Sequence, residues 1–397
     1  MYNVLNLASI AISTHTIIRD FMYLDASATS PPAPEVLQIM SMAYREGWAN
    51  PSSLHLPGIK AAELLKCSRK IIASLLGATT DELILCSGGT ESIQLALLGT
   101  AASLPTGQLV ISAVEHPAVT AAAKQLSNQG WTIKVWPVNH QGQVELKYLD
   151  KLLCPPTRLV SIGWGQSEVG TLQPIKEIGQ LCHERGILFH TDAVQVVGHE
   201  IIEWSHLPID LLSFASHKLH GPRGIGGLLH RSLIPCQSQM NGGGQENGFR
   251  SGTEPVALAV GLATALELVV TRQLNSQQGK PFQLWRDQLL SEFLSIPGIE
   301  LTGHPSSRLP NHISLLIKAS KDIPLMGRAL VKVLGHKGLS ISSGTACDSS
   351  ASYGSYVLRA MGYDEYEASM GLRLTLGPWH DRITLLKIPQ LVKQYLI

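Results

Sequence analysis

A chain of 397 residues exceeds what one ordinary hydrophobic core supports, and two domains are expected. Apolar residues make up 44% and charged residues 15%, the composition of a compact globular protein and not of a disordered or fibrous one. Lys+Arg 31 against Asp+Glu 30 leaves a net charge of +1, so the sequence offers neither a basic face for nucleic acid nor a charged tail.

Residues 1–20, MYNVLNLASIAISTHTIIRD, hold a short apolar run without the basic flank or small-residue cleavage site of a secretory signal. The run is also too short and too often interrupted to cross a bilayer. Residues 1–22 therefore read as an extension, or as a start placed too early with Met22 as the natural beginning. The six cysteines are Cys67, Cys86, Cys154, Cys182, Cys236 and Cys347, the closest two 19 residues apart. No CxxC or zinc spacing occurs, and reduced thiols in a cytoplasmic protein are expected.

From about 80 to 230, β-rich runs alternate with helical stretches. LILCS (83–87), QLVISA (108–113), TIKVWPV (132–138), RLVSIGW (158–164), ILFHTD (187–192), DLLSFA (210–215) and IGGLLHR (225–231) predict strands. Residues 91–102, 117–130 and 175–186 predict the helices between them. The alternation implies an α/β fold with a mostly parallel sheet covered on both faces. PVALAVGLATALELVV (255–270) comes nearest to a membrane span, but Glu267 interrupts it, and a buried helix is the better reading. Beyond about 270 the pattern changes to a smaller α+β unit: a helix at 282–295, a strand HISLLI (312–317), helices at 325–335 and 352–361, a strand LRLTLG (372–377) and a closing helix. The expected division is a large domain over 23–270, its first residues assignable to either unit, and a small one over 271–397.

Ligands of such sheets gather at the carboxyl ends of the strands. After 83–87 comes SGGTES (87–92), where two glycines and Thr90 open a helix whose free N–H groups can hold an anion. An ordinary capped turn explains this equally well, and neither GxGxxG nor a Walker motif is present. His116 follows 108–113, Asp192 ends 187–192 with Gln195 three residues on, and Lys218 follows 210–215 in SHKLHGPRGIGG (216–227). A lone strand-end lysine is ordinarily a solvated charge. Together, an anion cradle, a carboxylate, an amine and an aromatic ring make the set that pyridoxal phosphate needs. Cys347 lies in SSGTACDSSAS (342–352), without the apolar neighbours a packed cysteine has.

YLDASATSP (23–31), ANPSSLH (49–55), SGGTES, EHPAV, HTDAVQ, SHKLHGPRGIG, FRSGTEP (249–255) and SSGTAC resemble, in order and spacing, the cysteine desulfurases of the iron–sulfur assembly and nitrogen-fixation type. These are fold-type I pyridoxal-phosphate enzymes of the class V aminotransferase superfamily. The resemblance runs from about Tyr23 to Trp379 and implies a role for each matching residue. Lys218 matches the lysine that carries the cofactor, Asp192 the partner of its pyridine nitrogen and Gln195 the contact to its phenolic oxygen. His116 matches the stacked imidazole. Gly89, Thr90 and His217 match phosphate ligands, and Thr253 one supplied by the second subunit of a homodimer. Asn50 and Arg373 match residues that grip the substrate carboxylate, and Cys347 the catalytic cysteine on a long mobile loop. Ser167 stands where the family has a cofactor-binding Asn, Ala215 where it often has a phosphate-binding Ser, and Asp348 where Thr or Ser is common. A carboxylate at Asp348 opposes ionisation of the neighbouring thiol.

The resemblance implies that L-cysteine yields L-alanine and a persulfide on Cys347, which passes sulfur to an acceptor protein such as an iron–sulfur scaffold. No resident metal is implied, although Cys347 could touch a cluster transiently, and no membrane or nucleic-acid partner is expected. A selenocysteine lyase or a plain class V aminotransferase would use Lys218 and Asp192 equally, the aminotransferase without need of Cys347. A binding protein that keeps the cofactor site as a relic is a third reading.

Overall fold

The computed structural model describes residues 22–275, 282–318, 327–344 and 354–396. The expected N-terminal extension up to residue 21, Cys347 and Asp348 lie outside the described residues, whereas Met22 belongs to β1. Strand β1 (Met22–Tyr23) leads to two helices that the strand–helix alternation does not include, α1 (Pro34–Glu46) and α2 (Leu56–Leu75). Helix α1 begins on a proline, with Glu35 in its first turn and Arg45 in its last, charges that oppose the helix dipole. Helix α2 is capped by His55, whose ring accepts from the Gly58 amide at 3.2 Å.

The large sheet follows. It contains β2 (Leu83–Cys86), β3 (Gln108–Ser112), β4 (Thr132–Trp136), β5 (Thr157–Ser161), β6 (Leu188–Asp192), β7 (Leu211–Ala215) and β8 (Gly226–His230) in the order β2-β8-β7-β6-β5-β3-β4. Strands β3 to β7 pair parallel, and β8 runs antiparallel to both β2 and β7. Strands β2, β3, β7 and β8 are buried along their whole length, as befits a sheet covered on two faces. The expected strands are present with ends that differ by one to three residues. Helices α3 (Gly89–Gln94), α4 (Pro117–Asn128) and α5 (Ile175–Glu184) lie between strands in the chain, and α3 continues through a π-turn at Leu95–Gly99 to Ala102.

Helix α6 (Val256–Asn275) is the one described helix long and apolar enough to cross a membrane. It packs against α1 and α2, the placement of a core helix. Past it come α7 (Gln283–Leu294), β9 (Ile299–Leu301), β10 (His312–Ile317), α8 (Gly327–His336), β11 (Leu339–Ser340), α9 (Tyr356–Ala360) and β12 (Gly371–Thr375). Strands β12, β10 and β9 form an antiparallel sheet, and β1 pairs parallel with β11. Leu24 accordingly shares an apolar cluster with Phe282, Phe293, Ile313 and Leu372, separate from the one built on Trp136, Phe189, Trp204 and Phe214. The expected helix over 352–361 is shorter, starting where Ser355 Oγ caps the Leu358 amide at 3.0 Å. The single closing helix is instead two pieces, Arg382–Leu385 and Ile388–Lys393, and Pro389, which lacks an N–H, sits at the start of the second.

Gly226 packs β8 against the turn after β2. A Cβ there would lie 2.5 Å from the Phe214 carbonyl oxygen and 2.9 Å from Gly88 Cα. Gly226→Ala is expected to cost about 1–3 kcal/mol through backbone displacement, read as a lowered Tm; an unchanged Tm would contradict this packing.

Candidate active site

The loops after β3, β5, β6 and β7 converge, with residues of the C-terminal unit, on a cavity of about 510 Å³. His116, Ser167, Asp192, Gln195, Lys218 and Arg373 all line it. The first five arrive from a strand end or from the loop beyond it, because parallel pairing sends successive strands out on the same edge, whereas Arg373 comes from the middle of β12 in the antiparallel sheet.

Asp192 closes β6. One of its oxygens accepts from the Val194 amide at 2.9 Å. It opens on the cavity but is ringed by protein elsewhere; burial raises its carboxyl above the ordinary value, and the His116 and Lys218 charges pull it back. Lys218, in the turn after β7, donates through Nζ to the Ala28 carbonyl at 2.8 Å and also to the Ser27 carbonyl. Gln195 Nε2 donates to the same Ser27 carbonyl at 3.0 Å. His116 caps α4: its Nδ1 accepts from the Ala118 amide at 3.1 Å, which puts the proton of the neutral ring on Nε2. Arg373, on β12, is almost fully buried; its Nη2 donates to Asp25 at 2.7 Å and its Nη1 to the Ser167 carbonyl at 3.1 Å.

Other expected residues stand outside the cavity wall. Gly89 opens α3, where a Cβ would lie 2.7 Å from Val194 Cγ2, so only a glycine lets the helix start approach this wall. Thr90 is exposed beside it. His217 lies with Nδ1 3.1 Å from Thr29 Oγ1, and burial with the Lys218 and Arg223 charges lowers its pKa to about 4. Asn50 and Thr253 are exposed and do not reach the cavity within one chain; the Asn50 Oδ1 accepts from the Ser52 amide at 2.9 Å. Ala215 is buried 3.8 Å from a Cβ built on Gly89, so the missing Ser hydroxyl leaves an apolar contact.

Three features escape the sequence reading. Glu115 and Glu168 line the cavity as buried carboxyls, each with one oxygen lacking a hydrogen-bond partner among the described residues, and Tyr356 donates to the Glu115 carbonyl at 2.5 Å. Burial raises Glu115 to about 7 against the Ser112 and Gly163 hydrogen bonds, and raises Glu168 to about 7 against Ser355 and Arg373. The signal available was position: Glu115 precedes His116 and Glu168 follows Ser167, each beside a residue already singled out.

The donor set fits pyridoxal phosphate. It offers a carboxylate for a ring nitrogen, an amine for a carbonyl carbon, an imidazole beside them and a helix start with a glycine at the point of approach. The aminotransferase class V family model matches residues 22–372. The chain belongs to this family, whose cofactor is pyridoxal phosphate. Its relatives narrow the class: it is 37% identical to a cysteine desulfurase IscS of Methanosarcina thermophila, covering 94% of this chain and 92% of that one. It is 35% identical to the cysteine desulfurase NifS of Azotobacter vinelandii over 94% and 93% of the two chains. A solved NifS-like protein superposes with a TM-score of 0.86 at 31% identity, covering 95% of this chain and 99% of the other.

A carboxyl whose folded pKa is raised binds its proton more tightly folded than unfolded. Glu115 therefore adds nothing at pH 4 and lowers stability progressively as pH rises from about 4.5 to about 7, the loss then staying constant. In the apoprotein, Glu115→Gln is expected to remove up to about 3 kcal/mol of this penalty. The Tm difference from wild type should grow in favour of the variant between pH 5 and pH 8; a pH-independent difference would contradict the assignment.

Proposed function

We propose that this protein is a cysteine desulfurase that converts L-cysteine to L-alanine and leaves the sulfur as a persulfide on Cys347. The observation carrying this reading is that Lys218, Asp192, His116 and Arg373 share one cavity whose wall includes Gly344 and Gly354, the nearest described residues on either side of Cys347. Relatives that carry the desulfurase name over nearly the whole chain support it.

Bound pyridoxal phosphate supplies an electron sink that acidifies the α-carbon of an attached amino acid. Lys218 would hold the cofactor through Nζ and, once displaced by substrate, take the α-proton. Asp192 would keep a proton on the ring nitrogen, an interaction that draws its carboxyl back toward the ionised form. Gly89, Thr90 and His217 would hold the phosphate, Gln195 the phenolic oxygen and His116 the ring face, with Ser167 in place of the usual Asn. Arg373 would bind the substrate carboxylate, with Asn50 as its expected companion.

The Cys347 thiolate then takes the substrate sulfur: one C–S bond breaks, one S–S bond forms, and the carbon keeps the bonding pair and gains a proton. An ordinary thiol, pKa about 8.5, is only a few per cent ionised at neutral pH, so a base must assist. His116 is the candidate, an imidazole that lines the same cavity. The persulfide passes to an acceptor protein, an iron–sulfur scaffold or a thiolation enzyme.

The protein is further proposed to act as a cytoplasmic homodimer. Trp48, Leu54 and Leu56 are 72%, 93% and 81% exposed, and Leu37, Met42, Tyr44 and Ile59 lie exposed on the same α1–α2 stretch. Such a concentration of apolar surface favours a partner. A second copy would also supply the phosphate contact from Thr253, which is exposed and away from its own cavity.

Cys347→Ala is expected to lower sulfide release from L-cysteine roughly a hundredfold or more, while L-alanine still perturbs the cofactor's absorbance; full sulfide release would exclude Cys347 as nucleophile. Lys218→Ala is expected to lose the visible absorbance of the bound cofactor, and its survival would reject that residue. Light scattering should return twice the chain mass, and a monomer would remove the role given to Thr253.

A further inference from the structure

We propose that Asp25 is a positioning residue for substrate selection: it holds the Arg373 guanidinium in the orientation that receives an α-carboxylate. The inference rests on the proposed role of Arg373 and extends it to a residue outside the cavity wall.

Arg373 is almost fully buried on β12, where a cation needs a counter-charge and fixed acceptors. Asp25 is the carboxylate that bonds it, at 2.7 Å from Nη2, and the Ser167 carbonyl takes Nη1 at 3.1 Å. Nε is buried without a hydrogen-bond partner among the described residues. The guanidinium is therefore pinned at both terminal nitrogens while its remaining N–H directions stay uncommitted in a residue that lines the cavity. The other acid near Arg373, Glu168, makes no hydrogen bond to it among the described residues and is held toward its neutral form by burial, so the ionic partner is Asp25.

The backbone around Asp25 gives this pin a second consequence. Residues 24–27 are locked to β12, with the Thr375 amide donating to the Leu24 carbonyl at 2.7 Å and the Ser27 amide to Thr375 Oγ1 at 2.9 Å. Two and three residues beyond Asp25, the Ser27 and Ala28 carbonyls accept from Lys218 Nζ. One short strap thus positions the amine that meets the cofactor and, through Asp25, the cation that meets the carboxylate.

The test uses the holoenzyme and two ligands, L-alanine and L-alaninamide, which carries a neutral amide in place of the carboxylate. Dissociation constants are read from the perturbation of the cofactor's absorbance. Asp25→Ala is expected to weaken L-alanine about tenfold or more, the loss of an oriented charge-assisted contact, and to leave L-alaninamide little changed. Asp25→Glu, which keeps the charge, should retain most of the discrimination. If Asp25→Ala binds L-alanine as tightly as wild type or tighter, Asp25 competes with substrate and the inference is wrong; equal weakening of both ligands would reduce it to a structural contact. Should Asp25→Ala not fold, Asp25→Asn is read by the same two criteria with a smaller expected loss. None of these titrations needs sulfide release, so a variant series that behaves as expected in a chain that releases no sulfide would count against the desulfurase reading alone.

Discussion

A carboxylate and an amine stand at the ends of two adjacent parallel strands, Asp192 on β6 and Lys218 just past β7, and the remaining site is arranged around that pair. Burial raises the Asp192 carboxyl above its ordinary value, and His116, the Val194 amide and Lys218 draw it back. The floor beneath them is a chain of buried polar groups. Ser161 Oγ lies 2.8 Å from His190 Nδ1, His190 Nε2 3.0 Å from Ser213 Oγ, and Ser213 Oγ 2.7 Å from Ser92 Oγ. Burial lowers His190 to about 3, so this chain carries no net charge at neutral pH. It joins β5, β6, β7 and the first turns of α3, tying the strand that bears Asp192 to the helix whose start faces the proposed phosphate position.

The N-terminal strap performs the corresponding task across the two apolar clusters. Leu24 packs with the C-terminal cluster and β1 pairs with β11, while Ser27 and Ala28 reach the Lys218 amine in the large sheet. Arg373 joins the same arrangement from β12, with Ser167 of the β5 loop as its second anchor.

The cavity also stores protons. Glu115 and Glu168 are held near the middle of the physiological range by desolvation, Glu168 with the cationic Arg373 close by. Acids of this kind take up protons near neutral pH and so limit the negative charge a buried cavity accumulates.

The mostly parallel sheet, the strand-end placement of Asp192 and Lys218 and the glycine opening of α3 were legible in the residues, because period-2 runs, helix caps and glycine turns are local signals. Helices α1 and α2 were not, since their apolar residues are divided between α6 on one side and an exposed face on the other, which blurs the periodicity. The closing helix was read as one piece although Pro389 already marked a break.

By itself the sequence determined which chemical groups the protein owns and which strand ends carry them, since side-chain identity and short-range pattern need no partner. Only the tertiary structure decided which groups share a dielectric and a neighbour. Glu115 and Glu168 became titratable acids by being enclosed, Asp25 became the counter-charge of Arg373 across 348 residues of chain, and Asn50 and Thr253 were left outside the cavity of their own chain. Desolvation and ion pairing depend on distances through space, which a residue's place along the chain does not encode.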